Sequence, residues 1–180
     1  MKYIYPLILL LILCSCTTKR EIPKKIRHDF SKGEQAIITT AKKVIEDTYF
    51  TTLITIDAKG QPRARVMEPF APDDNFIIWM ATNPKSRKVT QIKNNPKATL
   101  HYYDKARFSY VSLMGKAFLI NDENLKASKF KKGWEQFYNN QKEDYLLIQF
   151  IPESLELISI PNKFTGDSIT WKPHRVLLRY

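Results

Sequence analysis

The chain changes its hydrophobic period near residue 50. Between residues 31 and 47 the candidate buried positions recur at helical spacing. They are Ala36, Ile37, Thr40, Val44 and Ile45. Ser31 is followed by Glu34 three residues later, as in a capping box, so the pattern predicts an amphipathic helix that begins at Ser31. Over residues 51–56 the period becomes two, which is typical of a half-buried strand.

Further strands are predicted downstream, and the first two strands are joined by a turn at residues 57–60. The predicted strands cover residues 63–70, 76–82, 97–103 and 109–119, and a short helix covers residues 86–95. Two short helices broken at Gly133 are expected over residues 122–138. Residues 145–160 are one long strand or a bent pair interrupted near Pro152. A final strand over 168–178 is restricted to an edge or bulge by Pro173. The expected fold is therefore α+β and mainly β.

The N-terminal residues resemble an export signal. An apolar run over residues 4–13 is too short to span a bilayer, which takes about 20 residues, but it suits a signal peptide. Leu13-Cys14-Ser15-Cys16 resembles a bacterial lipobox with Cys16 as the lipidated residue. We expect a lipoprotein signal peptide over 1–15, a basic tether over 16–30 and one domain over 31–180. A plain secretory signal or a short anchor is the alternative.

The expected location is the bacterial cell envelope, with a lipid anchor in the membrane. Thr17 follows the lipobox cysteine where Asp would signal retention in the inner membrane, so the outer membrane is favoured and its face stays open. The net charge is +11, and the two cysteines are Cys14 and Cys16. The domain therefore has no thiol chemistry and no cysteine metal site. The export signal, with no helix-turn-helix or zinc pattern, argues against nucleic acid as a partner.

Residues 81–103 have the layout of a phosphate-binding turn. A strand ends at Ala81 and Thr82, and Ser86, Arg87 and Lys88 follow where a helix begins. Unpaired N–H groups at a helix N-terminus attract anions, and Arg and Lys add charge. The alternative is an ordinary basic surface helix.

The ordered set of strands, turn and helix over residues 34–160 resembles the pyridoxamine 5'-phosphate oxidase-like family, and within it the general stress protein branch. The resemblance implies a split β-barrel with a few short flanking helices. It also implies flavin mononucleotide (FMN) as cofactor, generally bound at the interface of a homodimer. The cofactor-binding positions that it implies are Arg65, Val66, Met67, Ala81, Thr82, Ser86, Arg87 and Lys88.

The expected function is that of an FMN-dependent oxidoreductase whose substrate, electron donor and catalytic residues the sequence leaves open. The alternative is a non-catalytic flavin- or haem-binding barrel, and a deazaflavin also stays open. Some relatives of this fold bind haem through a C-terminal histidine, and His174 is the candidate haem ligand here. Trp171, Arg175 and Arg179 only loosely match the substrate signature of pyridoxamine phosphate oxidases, so that reaction is not expected. No metal site is expected.

Overall fold

A computed structural model describes residues 29–178 of the chain. The predicted signal peptide, the lipidation site Cys16 and most of the basic tether lie outside these residues. The first element is helix α1 (Lys32–Asp47). Its capping box is confirmed, since the Ser31 hydroxyl accepts from the Glu34 N–H at 3.2 Å and the Glu34 carboxylate accepts from the Ser31 N–H at 3.0 Å. Among the described residues no helix is long and apolar enough to cross a membrane.

Seven strands and three further α-helices follow α1. The strands are β1 (Thr51–Ile56), β2 (Pro62–Met67), β3 (Ile78–Thr82), β4 (Lys97–Asp104), β5 (Ser109–Ile120), β6 (Leu146–Ser159) and β7 (His174–Leu177). The helices are α2 (Arg87–Asn94), α3 (Glu123–Ser128) and α4 (Gln141–Asp144), and 3₁₀ turns cover Trp134–Gln136 and Ile160–Asn162.

All strand pairs are antiparallel, in the order β2-β1-β4-β5-β6-β3, with β7 also paired to β6. The sheet curls, because an isolated bridge between Pro69 and Met80 brings the segment after β2 back to β3. The Phe70 N–H donates to the Trp79 carbonyl there, at 2.8 Å. The predicted split barrel, mainly β with a few short helices, is thus confirmed.

One row of side chains shows where the core lies. Leu53, Leu100, Leu113 and Leu155 are paired across β1, β4, β5 and β6, and each is fully buried. Helix α1 covers the core with Ile38, Ala41, Val44 and Ile45. The helix itself was predicted correctly. The prediction of its buried positions was partly wrong, since Ala36 is exposed and Ile38 and Ala41 are buried.

The long strand β6 is bent by one extra residue. Met114 pairs with Ser154 whereas Gly115 pairs with Pro152, so Glu153 is left without a partner on β5. Its carbonyl instead accepts from the Leu178 N–H at 2.9 Å. This β-bulge is the interruption expected near Pro152. Directly after Pro173, the edge strand β7 keeps only four residues of the expected final strand.

Three other elements differ from the prediction in their bounds or in their type. Strand β2 ends at Met67 rather than at residue 70, and β3 begins at Ile78 because Phe76 has a positive φ of 59°. The second short helix after β5 is a 3₁₀ turn that follows Gly133, whose φ is 92°. Glu68 ties this turn to the end of β2 by accepting from Trp134 Nε1 and Lys131 Nζ, both at 2.9 Å.

Candidate functional site

A cavity of about 500 Å³ lies between β2 and the N-terminal half of α2. Four of its lining side chains are cations, and none is acidic. The lining residues are Pro62, Arg63, Ala64, Arg65, Ser86, Arg87, Lys88 and Gln91. Such a cavity favours an anion, because a partly dry site strengthens the attraction between opposite charges.

Arg65 stands where the row of core leucines reaches the edge of the sheet, since it pairs with the buried Leu53. Its Nη1 donates to the Leu53 carbonyl at 3.2 Å and to Thr55 Oγ1 at 2.7 Å, and its Nη2 donates to Gln91 Oε1 at 2.8 Å. The Thr55 hydroxyl also donates to Gln91 Oε1 at 2.6 Å. The guanidinium is therefore held in one orientation before any ligand arrives.

A second chain of polar contacts positions the start of α2. Thr82, at the end of β3, lies 3.0 Å from the Ser86 hydroxyl and accepts from Lys88 Nζ at 3.2 Å. Ser86 occupies the N-cap position but makes no side-chain capping bond. Because a helix start has N–H groups without intrahelical partners, this end of α2 can donate to an anion in the cavity.

The cations of the cavity repel one another. Burial, and then the charge of Arg87, lower the pKa of Arg65. Burial, and then the charge of Arg65, lower the pKa of Lys88. A bound anion would relieve this repulsion between like charges.

Arg63 has a carboxylate partner, Asp57. Its Nε lies 2.8 Å from Asp57 Oδ2, and the Asp57 carboxylate also accepts from the backbone N–H groups of Lys59 and Gln61. These bonds, with the Arg63 bond first, lower the pKa of Asp57. The turn between β1 and β2 therefore fixes Arg63 at the rim of the cavity.

The structure brings together five of the eight predicted cofactor-binding residues. Arg65, Ser86, Arg87 and Lys88 line the cavity, and Thr82 is bonded to two of them. The other three lie elsewhere. Alternation along β2 exposes 67% of Val66 on the opposite face, Met67 packs against the core, and Ala81 is buried with Trp79 and Trp134. Any role of these three in binding a cofactor stays a prediction.

Sequence reasoning missed Thr55, Arg63 and Gln91. A signal was present for two of them, because Arg63 lies two residues before Arg65 on the same face of a strand and Gln91 lies four residues after Arg87 on the helix. Thr55 had no such signal. It is fully buried, and only the pairing of β1 with β2 places it beside Arg65.

His174, the haem-ligand alternative, is half-buried in β7 with its ring 5.2 Å from that of Phe164, and it does not line the cationic cavity. A separate, mainly apolar cavity of about 690 Å³ lies beside Tyr110 and Trp171. Among residues 29–178 no group of three or more His, Cys, Asp or Glu side chains could hold a metal ion.

The curled antiparallel sheet defines a split β-barrel, and the cation-lined cavity lies at its edge. A family model described as pyridoxamine 5'-phosphate oxidase matches residues 37–159. The chain belongs to this family. No curated protein matches it at a significant level.

Solved structures show the same fold. A protein from Clostridium acetobutylicum, related to general stress protein 26 of Bacillus subtilis, has a TM-score of 0.66 at 21% identity, over 80% of this chain and 95% of that one. An FMN-binding protein from Nostoc punctiforme, related to pyridoxamine 5'-phosphate oxidase, has a TM-score of 0.57 at 14% identity, over 84% of this chain and 99% of that one. A haem-binding protein from Mycobacterium smegmatis has a TM-score of 0.57 at 13% identity, over 76% of this chain and 56% of that one.

Proposed function

We propose that the protein binds FMN through its phosphate group in the cationic cavity and acts as a flavin-dependent oxidoreductase at the bacterial envelope. One observation carries the proposal. Arg65, Arg87 and Lys88 converge on a single cavity that has no acidic lining residue, at the start of a helix whose N-cap side chain leaves the first turn uncapped. A dianionic phosphate fits this set of donors, since Arg can grip two of its oxygens and Lys adds a point charge.

The chain's own residues would bind and orient the cofactor. Arg65 is already fixed by three acceptors, so little side-chain entropy is lost when it meets the phosphate. Ser86 and Thr82 position Lys88 at the other side of the cavity. When bound, FMN supplies electron or hydride transfer, and the protein supplies position and electrostatics. No catalytic acid or base is assigned.

Support also comes from family membership and from the Nostoc punctiforme neighbour, whose name states that it binds FMN. The Mycobacterium smegmatis neighbour is named as a haem-binding protein, and it makes haem the second candidate. A haem would need an iron ligand such as His174, which lies outside the cationic cavity. FMN is therefore the better match to the residues that line the cavity.

The absorbance spectrum of the full-length protein, purified in detergent with and without added FMN, tests the cofactor. We expect flavin bands that stay with the protein through gel filtration and bleach on reduction with dithionite. A Soret band would favour haem, and His174→Ala would then be expected to remove it. A colourless protein that binds neither would contradict the proposal. Reductase and oxidase assays on the flavin-loaded protein would separate an enzyme from a non-catalytic flavin carrier.

We also propose that the protein is a homodimer, as members of the family typically are. The outward face of β1, β2, β4 and β5 carries exposed or half-exposed apolar side chains, among them Val66, Tyr103 and Tyr110. A second copy would cover them and bring further side chains to the cofactor. Light scattering after gel filtration measures the mass directly, and a monomer at all concentrations would rule the dimer out.

Anchoring through a lipid on Cys16 is a further part of the proposal, and it rests on the sequence alone. Cells that express the protein and are fed a radioactive or clickable fatty acid should label it. Cys16→Ala is expected to abolish the label and release the protein from the membrane fraction. Cys14→Ala is the matched control, which removes the neighbouring cysteine and should keep both the label and the membrane location. Equal loss in both variants would argue against the assigned lipobox.

A further inference from the structure

Arg63 and Arg65, two of the three arginines that line the cavity, have partners of different charge. Arg63 is paired with a carboxylate, that of Asp57. Among residues 29–178, Arg65 instead donates to neutral acceptors only, namely the Leu53 carbonyl, the Thr55 hydroxyl and the Gln91 amide. A guanidinium that is partly removed from water usually has an acid beside it, because an ion pair offsets part of the cost of desolvating the charge. The neutral acceptors that hold Arg65 therefore call for a functional explanation.

We propose that Gln91 is a specificity-determining residue: its neutral amide holds Arg65 in place without cancelling the positive charge, which makes the cavity selective for a doubly charged phosphate group. The inference deepens the proposed function, on which it rests for the identity of FMN as ligand. It assigns to Gln91 a role that is electrostatic as well as positional.

The geometry fixes which atom of Gln91 faces the arginine. Arg65 can only donate hydrogen bonds, and both Arg65 Nη2 at 2.8 Å and the Thr55 hydroxyl at 2.6 Å approach the same atom of Gln91. That atom must therefore be the amide oxygen. A glutamate here would accept the same two bonds with nearly the same shape, so Gln91→Glu changes the charge of the site and little else.

A carboxylate at position 91 would have opposite effects on the stability of the ligand-free protein and on its affinity for phosphate. Burial and then the charge of Arg87 lower the pKa of Arg65, and burial and then the charge of Arg65 lower the pKa of Lys88, so the three cations repel one another across the cavity. A negative charge at residue 91 would relieve this repulsion and stabilise the empty protein. It would also repel an incoming phosphate and supply the counter-charge that the phosphate otherwise provides. The native glutamine therefore keeps the empty site less stable and the anion better bound.

The test uses full-length protein in detergent, with FMN, riboflavin and inorganic phosphate as ligands. For Gln91→Glu we expect a higher melting temperature than wild type in phosphate-free buffer. We also expect a dissociation constant for FMN raised about tenfold or more, as for the loss of one favourable charge contact, and a smaller rise in melting temperature on adding phosphate. Affinity for riboflavin, which has no phosphate, should be unchanged.

Thr90→Glu is the matched control, because it adds the same charge to the same helix at an exposed position outside the cavity. It should leave both the melting temperature and FMN affinity near wild type. If it raises stability as much as Gln91→Glu does, the effect is only that of a lower net charge, and the inference fails.

Gln91→Leu separates charge from position. Removing the acceptor should lower both stability and FMN affinity, unlike the opposed changes expected for glutamate. If Gln91→Glu binds FMN as tightly as wild type, the inference is overturned while the proposed function stands. If wild type responds to phosphate but not to FMN, the proposed function fails and the phosphate data still decide the role of Gln91. If wild type responds to neither ligand, both are wrong.

Discussion

Replacement of both Arg87 and Lys88 with alanine is expected to abolish measurable FMN binding while the protein stays folded. The two side chains line the cavity from the first turn of α2, and they face Arg65 across it. A hydrogen bond to a charged group contributes about 1.5–3 kcal/mol. Losing two of them weakens binding by about 3 kcal/mol or more, which is a rise in the dissociation constant of roughly a hundredfold or more.

The fold should tolerate this double change because neither side chain belongs to the core. Arg87 is exposed, and Lys88 donates one hydrogen bond, to Thr82, which keeps its contact with Ser86. Removing Arg87 also relieves the repulsion that, after burial, lowers the pKa of Arg65. Circular dichroism and the melting temperature should therefore match wild type or exceed it slightly.

Fluorescence quenching of FMN on titration with protein measures the affinity. The control is a double variant, Lys85→Ala with Lys93→Ala, which removes the same charge from exposed positions around the same helix that do not line the cavity. We expect this control to bind FMN nearly as wild type does. Unchanged FMN affinity in the Arg87 and Lys88 variant would show that the phosphate is bound elsewhere.

Gly115→Ala is expected to have the largest effect on stability. A Cβ atom at this position would lie 2.1 Å from the Ile151 carbonyl oxygen and 2.7 Å from the Pro152 Cα. Both are backbone atoms of β6 at the bulge, so they cannot move aside as the end of a flexible side chain could. Overpacking of this kind costs about 3 kcal/mol or more, a large share of the stability of a domain of this size.

The measurement is chemical unfolding followed by fluorescence, with the soluble yield as a second readout. Gly33→Ala is the matched control, because a Cβ at Gly33 in α1 would have no atom within 4 Å and alanine favours a helix. We expect the control to keep or slightly raise stability. Equal stability of the Gly115 variant and wild type would show that β5 and β6 approach less closely than the structure has them.

Much of the fold could be predicted because local patterns decide it. The capping box of α1 depends on two residues three apart, and the strand at Thr51–Ile56 depends on alternation alone. Strand ends were harder to predict. β2 stops at Met67 and β3 starts at Ile78 because the closing bridge between Pro69 and Met80 and the positive φ of Phe76 are set by contacts distant in sequence.

The residues of the candidate site also fall into those that the sequence could predict and those that it could not. Ser86, Arg87 and Lys88 stand together in the sequence where a strand gives way to a helix, so their position at one cavity was predictable from that order. The family resemblance implied Val66 together with Arg65, and in the structure their side chains point to opposite faces of β2, as neighbours in a strand do. Arg65 donates to Thr55 and Gln91, which lie 10 and 26 residues away in the sequence. These two partners could be found only from the three-dimensional structure.

Residue order and short-range periodicity were enough to predict most of the helices and strands, the basic start of α2 and the family. Which cations share a cavity, and which acceptors hold them, depends on how the strands pair and how α2 packs. Strand pairing sets Arg65 beside Leu53 and Thr55, and the packing of α2 against the sheet adds Gln91. The charge of a binding site is a property of groups brought together in space, and no local pattern encodes the distance between them.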